Sequence, residues 1–311
     1  MGAAIKVKIL SFLICLLVLV SSGCVEKETP KKVSLTTKTN EKAELNEYAP
    51  QDALWFGFDL RIGPKEDVRI YLPLLQYLEK DTGRHFRIKF AEKYESTVED
   101  LGKGVTHFAA VGTLSYLIGE ARYGIRYLVS GVNKEGDTTY NSIIFTSPGS
   151  SIEGLKDLKG KCFAFGSRMS TQGHLIPRNM LEDEGIHLED LVRYIYTGSH
   201  LETVKTVLNG ECDAGGIQDT LAKTLASEGK IKILKISEPF PGSLIAYSSS
   251  VDSKTAEAVR AALLAFDPRG KHKTMLVDWD QTEMPLGFSK VDELELNKVK
   301  TLAKKYGVLT E

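Results

Sequence analysis

Three short runs of this sequence put hydroxyl, amide and imidazole groups where a strand pattern gives way to a helix pattern. Ser167-Arg168-Met169-Ser170-Thr171-Gln172-Gly173 follows the apolar run KCFAFG. Ser199-His200 follows VRYIYTG, and Gly112-Thr113-Leu114-Ser115-Tyr116 closes the run HFAAVG. The first amides of a helix have no partner inside it, and the dipole places positive potential there. Such starts suit anions. Hydroxyls at these places either cap the helix or donate to the anion, and a histidine that titrates near neutrality is a good anion partner. The chemistry in prospect is capture of a small oxyanion by N–H and O–H donors. Groups for breaking bonds are missing from the pattern. There is no nucleophile elbow with a Ser-His-Asp order, no His/Cys metal spacing and no phosphate loop with its lysine. The sequence therefore predicts a binding protein rather than an enzyme, with no metal and no cofactor.

These runs need elements to hold them. From Leu54 the pattern alternates strand and helix. LWFGFDL reads as a strand, and DVRIYLPLLQYLEKDTG as a helix with Tyr71, Leu74, Leu75 and Leu78 on one face. Pro73 within it implies a helical start near that point or a kink. HFRIKFA, HFAAVG, IRYLVSGV and YNSIIFTSP read as further strands, with helices STVEDLGKG and TLSYLIGEAR between the first of them. The plan then repeats. KCFAFG, VRYIYTG and CDAGGIQ read as strands, with STQGHLIPRNMLEDEGI, HLETVKTVLNG and TLAKTLASEG as helices. The passages LGKGVTHFAAVGT (101–113) and VLNGECDAGGIQD (207–219) share one design: a helix end, a glycine turn and a buried strand. The expected fold class is α/β. Two lobes, each a mainly parallel sheet flanked by helices, would form a hinged clamshell of the type II periplasmic-binding-protein kind, with ligand beyond the carboxyl ends of the strands. The expected lobes are 50–140 with 246–311, and 141–245.

Lys6 and Lys8 precede an apolar run from Ile9 to Val20, then Ser21-Ser22-Gly23-Cys24. That order predicts a secretory signal over 1–24, too short to remain as a spanning helix. Cys24 is the expected lipidated first residue, although Ser21 stands where such signals usually carry Leu or Val. An ordinary signal with an incidental cysteine is the alternative reading. Residues 25–49 are polar and aperiodic, a composition that cannot bury a core, and read as a tether. The chain is then expected in the cell envelope, lipid-anchored and facing the periplasm or the exterior. With 40 basic and 41 acidic residues, 42% hydrophobic and 26% charged, no field favours nucleic acid. Cys162 and Cys212 each open a predicted parallel strand. They could be joined in a compartment that permits oxidation, or remain buried thiols.

The segments YLPLLQYLEKDTG, FAEKY, YNSIIF, MSTQGHLIP, TGSHLETVKTVLNGECDAG and SEPFPG, in that order and spacing, resemble the phosphonate- and phosphite-binding proteins of ABC importers. Two motifs are specific: Ser-Thr-x-Gly-x-x-x-Pro (170–177), and Gly-Ser-His with Asp-Ala-Gly thirteen residues after the histidine (198–215). The resemblance implies that Ser170 and Thr171 hold the oxyanion and that His200 closes on it. Gln172 stands where the family often has a hydroxyl or histidine. Two family tyrosines fall on Tyr94 and Tyr140, and Thr113 and Ser115 match a first-lobe loop. Members that bind aminoalkyl phosphonates use acids for the ammonium. At the Pro-Gly turn this chain has Ser243, and the other acidic position falls near Asp219 or Thr220. The implied partners are a small anion of the phosphonate and phosphite class, an ABC permease and its ATPase, with the chain itself a monomer. The alternative is a sensing lipoprotein that presents a bound anion to a membrane receptor kinase.

Overall fold

Largely apolar runs become the strands of two sheets in the computed structural model, which describes residues 52–59, 64–91 and 94–309. The signal segment, Cys24 and the tether lie outside the described residues. In chain order the elements are β1 (Leu54–Asp59), α1 (Pro64–Thr82), β2 (Phe86–Ala91), α2 (Tyr94–Gly102), β3 (Phe108–Gly112), α3 (Thr113–Tyr123), β4 (Arg126–Gly131) and β5 (Thr139–Thr146). There follow β6 (Cys162–Phe165), a π turn over Thr171–Leu175 that runs into α4 (Ile176–Asp183), β7 (Arg193–Tyr196), α5 (His200–Leu208), β8 (Ala214–Gln218) and α6 (Asp219–Ser227). The chain ends with β9 (Lys232–Pro241), β10 (Ser243–Tyr247), α7 (Ser253–Ala265), β11 (Phe288–Ser289) and α8 (Glu293–Lys305). Among the described residues no helix is long and apolar enough to cross a membrane.

The first sheet has the order β11-β4-β10-β3-β1-β2 and the second β7-β6-β8-β5-β9. Within them β1, β2 and β3 run parallel, as do β6, β7 and β8. Parallel strands need crossover helices, which is why each is followed by one. Their faces are covered by apolar residues: Phe56, Phe58, Leu74, Leu78 and Phe108 around the first sheet, Phe163, Phe165, Leu175 and Ile176 around the second. α1 begins at Pro64 and continues through Pro73, whose missing N–H leaves the Arg69 carbonyl without its intrahelical donor. The chain passes from the first sheet to the second between Gly131 and Thr139, and back between Pro241 and Ser243. The two passages run side by side, with Thr139 opposite Pro241 and Tyr140 opposite Phe240. Gly242 is a glycine for close approach, since a Cβ there would lie 2.4 Å from the Tyr140 ring.

The Asp-Ala-Gly-Gly run (213–216) serves packing. The Asp213 carboxylate accepts the Cys162 amide at 2.7 Å and so ties the amino ends of β6 and β8. Cys162 and Cys212 are joined there by a disulfide. On β8 a Cβ at Gly216 would meet the Pro177 ring at 2.4 and 2.6 Å. Gly216→Ala is therefore expected to cost about 1–3 kcal/mol through overpacking. Urea unfolding measures it, and an unchanged midpoint would contradict this packing.

Candidate functional site

Pro177 shapes the turn that follows β6. Lacking an N–H, it cannot use the Gly173 carbonyl four residues back. That carbonyl accepts the Gly166 amide at 2.7 Å instead, closing a tight loop over 166–173. The helix expected from Ser170 onward opens as a π turn, in which the Ile176 amide reaches the Thr171 carbonyl five residues back. Within the loop Ser170 Oγ accepts the Gly173 amide at 2.9 Å. Ser142 Oγ on β5 donates to the Gln172 carbonyl at 2.7 Å, fixing the loop to the sheet.

His200 is the first residue of α5, whose start is capped by Ser199 Oγ accepting the Glu202 amide at 3.2 Å. A Cβ placed on Gly173 would lie 3.0 Å from His200 Cε1, 3.2 Å from His200 Nδ1 and 2.9 Å from Ser170 Oγ. The imidazole thus rests on the bare Cα of Gly173, beside the Ser170 hydroxyl. Ser170, Thr171 and His200 are brought together at the carboxyl ends of β6 and β7. Thr171 Oγ1 accepts the Leu114 amide at 2.9 Å. Both hydroxyls of the pair are therefore engaged as acceptors, and neither proton has a protein acceptor among the described residues. A hydroxyl that accepts one hydrogen bond is polarised to donate the next. Two adjacent donors beside an imidazole suit an oxyanion.

The remaining expected site residues have other partners. Thr113 donates to the Gly242 carbonyl through both its amide (3.2 Å) and its hydroxyl (2.7 Å). Ser115 Oγ donates to the Met169 carbonyl at 3.2 Å, and Gln172 Nε2 to the Pro241 carbonyl at 3.0 Å. Tyr140 donates its hydroxyl to the Glu283 carbonyl at 2.5 Å. These four side chains, all buried, tie the hinge and the loops around Ser170 and Thr171. Asp219 opens α6. Its Oδ2 pairs with Lys223 Nζ at 2.7 Å, and its buried Oδ1 has no partner among the described residues. Tyr94 begins α2, and its side chain lies outside the described residues. The Pro-Gly turn has an acid after all: Ser243 Oγ donates to the carboxylate of Glu283, forty residues downstream. Sequence reasoning missed Glu283 and Ser142, since neither stands at a helix start. Among the described residues no group of three or more His, Cys, Asp or Glu could hold a metal.

His174 braces the loop from below. It is 4% exposed. Its Nδ1 lies 2.7 Å from the Arg168 carbonyl, which can only accept, so Nδ1 carries the proton. Nε2 then accepts from the Tyr196 hydroxyl at 3.1 Å, whose own pKa is raised by burial. The Arg168 guanidinium stacks 3.9 Å above the Tyr196 ring. Burial is the main cause that lowers the His174 pKa to about 4. The folded-state value thus lies below that of the unfolded chain, about 6.5. The resulting stability is complete above pH 6.5 and is lost as pH falls toward 4, to a limit of about 3 kcal/mol. His174→Gln should flatten the stability profile over that window relative to wild type. Identical slopes in urea titrations at pH 7, 5.5 and 4 would contradict a neutral, buried imidazole.

The model of a protein family described as ABC transporter, phosphonate, periplasmic substrate-binding protein matches residues 56–294. A phosphate-import protein PhnD of Mycolicibacterium smegmatis is 29% identical over 189 residues, 57% of this chain and 59% of that relative. The aligned stretch thus spans less than two thirds of the relative's length. Among solved structures, PhnD1 of Prochlorococcus marinus in complex with methylphosphonate superposes with a TM-score of 0.71 at 17% identity, covering 83% of this chain and 99% of that one. A binding component of a phosphonate ABC transporter from Pseudomonas aeruginosa gives 0.70 at 19% identity, covering 81% and 86%. These likenesses show the two-lobed periplasmic-binding-protein fold. The family match extends from β1 into α8, across both sheets and every loop described above, and this chain belongs to the periplasmic phosphonate substrate-binding proteins of ABC transporters.

Proposed function

We propose that the chain captures a small phosphorus oxyanion, a phosphonate or phosphite, between its two sheets and hands it to an ABC permease driven by an ATPase. Ser170 and Thr171 donate their hydroxyl protons to two ligand oxygens, and His200 closes on a third. The observation that carries this reading is the state of the two hydroxyls: each already accepts a backbone amide, so each meets the ligand as a donor. An ionised tetrahedral group supplies the matching acceptors. Cys24, acylated, holds the protein on the outer face of a membrane through the 25–49 tether.

In this reading Asp219, at the start of α6, is the carboxylate that would meet a hydrogen-bond donor on the ligand. A bare anion gains nothing from the unpartnered Asp219 Oδ1, whereas a group that donates a hydrogen bond would. A thermal-shift panel of phosphite, methylphosphonate, aminoethylphosphonate, phosphate and sulfate tests the reading. At a hundred times Kd a ligand stabilises by about 2.7 kcal/mol, a rise of roughly 5–10 °C for a chain of this size. Phosphite or a phosphonate should produce it. Silence from every phosphorus oxyanion would end the proposal.

A further inference from the structure

α3 belongs to the first sheet's lobe, yet its amino end is capped from elsewhere. Its own N-cap residue is Gly112, which has no side chain to offer. A helix start leaves its first amides unpaired and normally takes an oxygen from the residue at the N-cap. Here the Thr113 amide goes to the Gly242 carbonyl in the hinge (3.2 Å), and the Leu114 amide goes to Thr171 Oγ1 (2.9 Å). Thr171 stands 57 residues away and opens the π turn that follows β6 of the second sheet. One position on, Ser115 Oγ donates to the Met169 carbonyl (3.2 Å), again across the two sheets. Leu114, Ser115, Met169 and Thr171 are all buried.

We propose that Thr171 caps α3 across the cleft, and that this bond and the Ser115–Met169 bond form a latch that exists only while the two lobes are closed. Opening would strip the Leu114 amide of its cap and leave Ser115 and the Met169 carbonyl to water. Thr171 then does two things with one hydroxyl. Its lone pair fastens the lobes, and its proton is left for the ligand. A ligand oxygen that accepts this proton polarises the hydroxyl and strengthens the cap, so binding and closure reinforce one another. The ligand half of this inference rests on the oxyanion reading above; the cap itself does not. Ser115 is in this account a positioning residue for closure, and it reaches the ligand only through the population of the closed state.

Amide hydrogen exchange at Leu114, followed by NMR in the ligand-free protein and with saturating methylphosphonate, tests the latch. Wild type should protect this amide in at least one of the two samples. Thr171→Ser keeps the hydroxyl and should keep the protection. Thr171→Val should exchange about tenfold faster at Leu114, the equivalent of one lost hydrogen bond, with the Phe163 and Ala164 amides of β6 unchanged. Ser115→Ala should speed Leu114 exchange several-fold and weaken methylphosphonate binding by a similar factor. Equal protection in Thr171→Val and wild type, or fast exchange in wild type under both conditions, overturns the latch. If the latch variants behave as expected while no phosphorus oxyanion binds wild type, the functional reading fails and the latch stands. If methylphosphonate binds and Leu114 ignores Thr171→Val, the reverse holds.

Discussion

Replacing Cys162 and Cys212 together by alanine is expected to lower the free energy of unfolding by about 4 kcal/mol while leaving ligand affinity unchanged. The disulfide closes 50 residues of sequence, and on the chain-entropy account a loop of that length removes about 4 kcal/mol of freedom from the unfolded chain. Both cysteines are buried at the amino ends of β6 and β8. The candidate site is at the opposite ends of these strands. β6 is four residues long, which puts about 13 Å of strand between them. Asp213 holds the same corner through the Cys162 amide, and Thr146 through the Asp213 carbonyl, so the local geometry should persist without the sulfur bond. Urea unfolding of the variant, beside calorimetry at a temperature where it remains folded, reads both quantities. A loss under about 1 kcal/mol, or a coupled loss of affinity, would contradict this division of roles.

Thr171→Ala and His200→Ala are each expected to weaken oxyanion binding by about 1.5–3 kcal/mol, the usual range for a hydrogen bond to a charged partner. That corresponds to roughly 10- to 150-fold in Kd. Neither change opens a large cavity. Thr171 lies in a loop fixed independently by the Gly166–Gly173 bond and by Ser142, and His200 lies at the start of a helix capped by its neighbour Ser199. The fold should therefore survive both. If the two side chains share one ligand, as proposed, their effects should not add. Calorimetry on the double variant would show a total smaller than the sum. Unchanged affinity in both single variants would remove the site from the turn after β6.

Much of this architecture was legible in the sequence because parallel sheets write a plain signature. The runs HFAAVG, KCFAFG and VRYIYTG each end in glycine and lead into a helical pattern, and Ser170, Thr171 and His200 stand at such junctions. The two cysteines opened neighbouring strands, but spacing alone could not say that those strands pair. The ladder settles it, with Phe163 opposite Ala214. The partners of the other polar residues were illegible for a different reason. A hydroxyl or amide at a helix start reads the same whether it faces a ligand or a carbonyl. Thr113 and Gln172 donate to Gly242 and Pro241, and Ser115 to Met169, carbonyls 54 to 129 residues away. Glu283 reaches Ser243 from a loop without periodicity. The π turn at Thr171–Leu175 keeps the same polar and apolar pattern as an α-helix, so only the Pro177 position hinted at it.

Co-crystallisation with methylphosphonate tests the central claim most directly. The tetrahedral group should lie between the turn after β6 and the start of α5, with oxygens within about 3.2 Å of Ser170 Oγ, Thr171 Oγ1 and the His200 imidazole. A ligand seated elsewhere, with those three side chains untouched, would contradict the account.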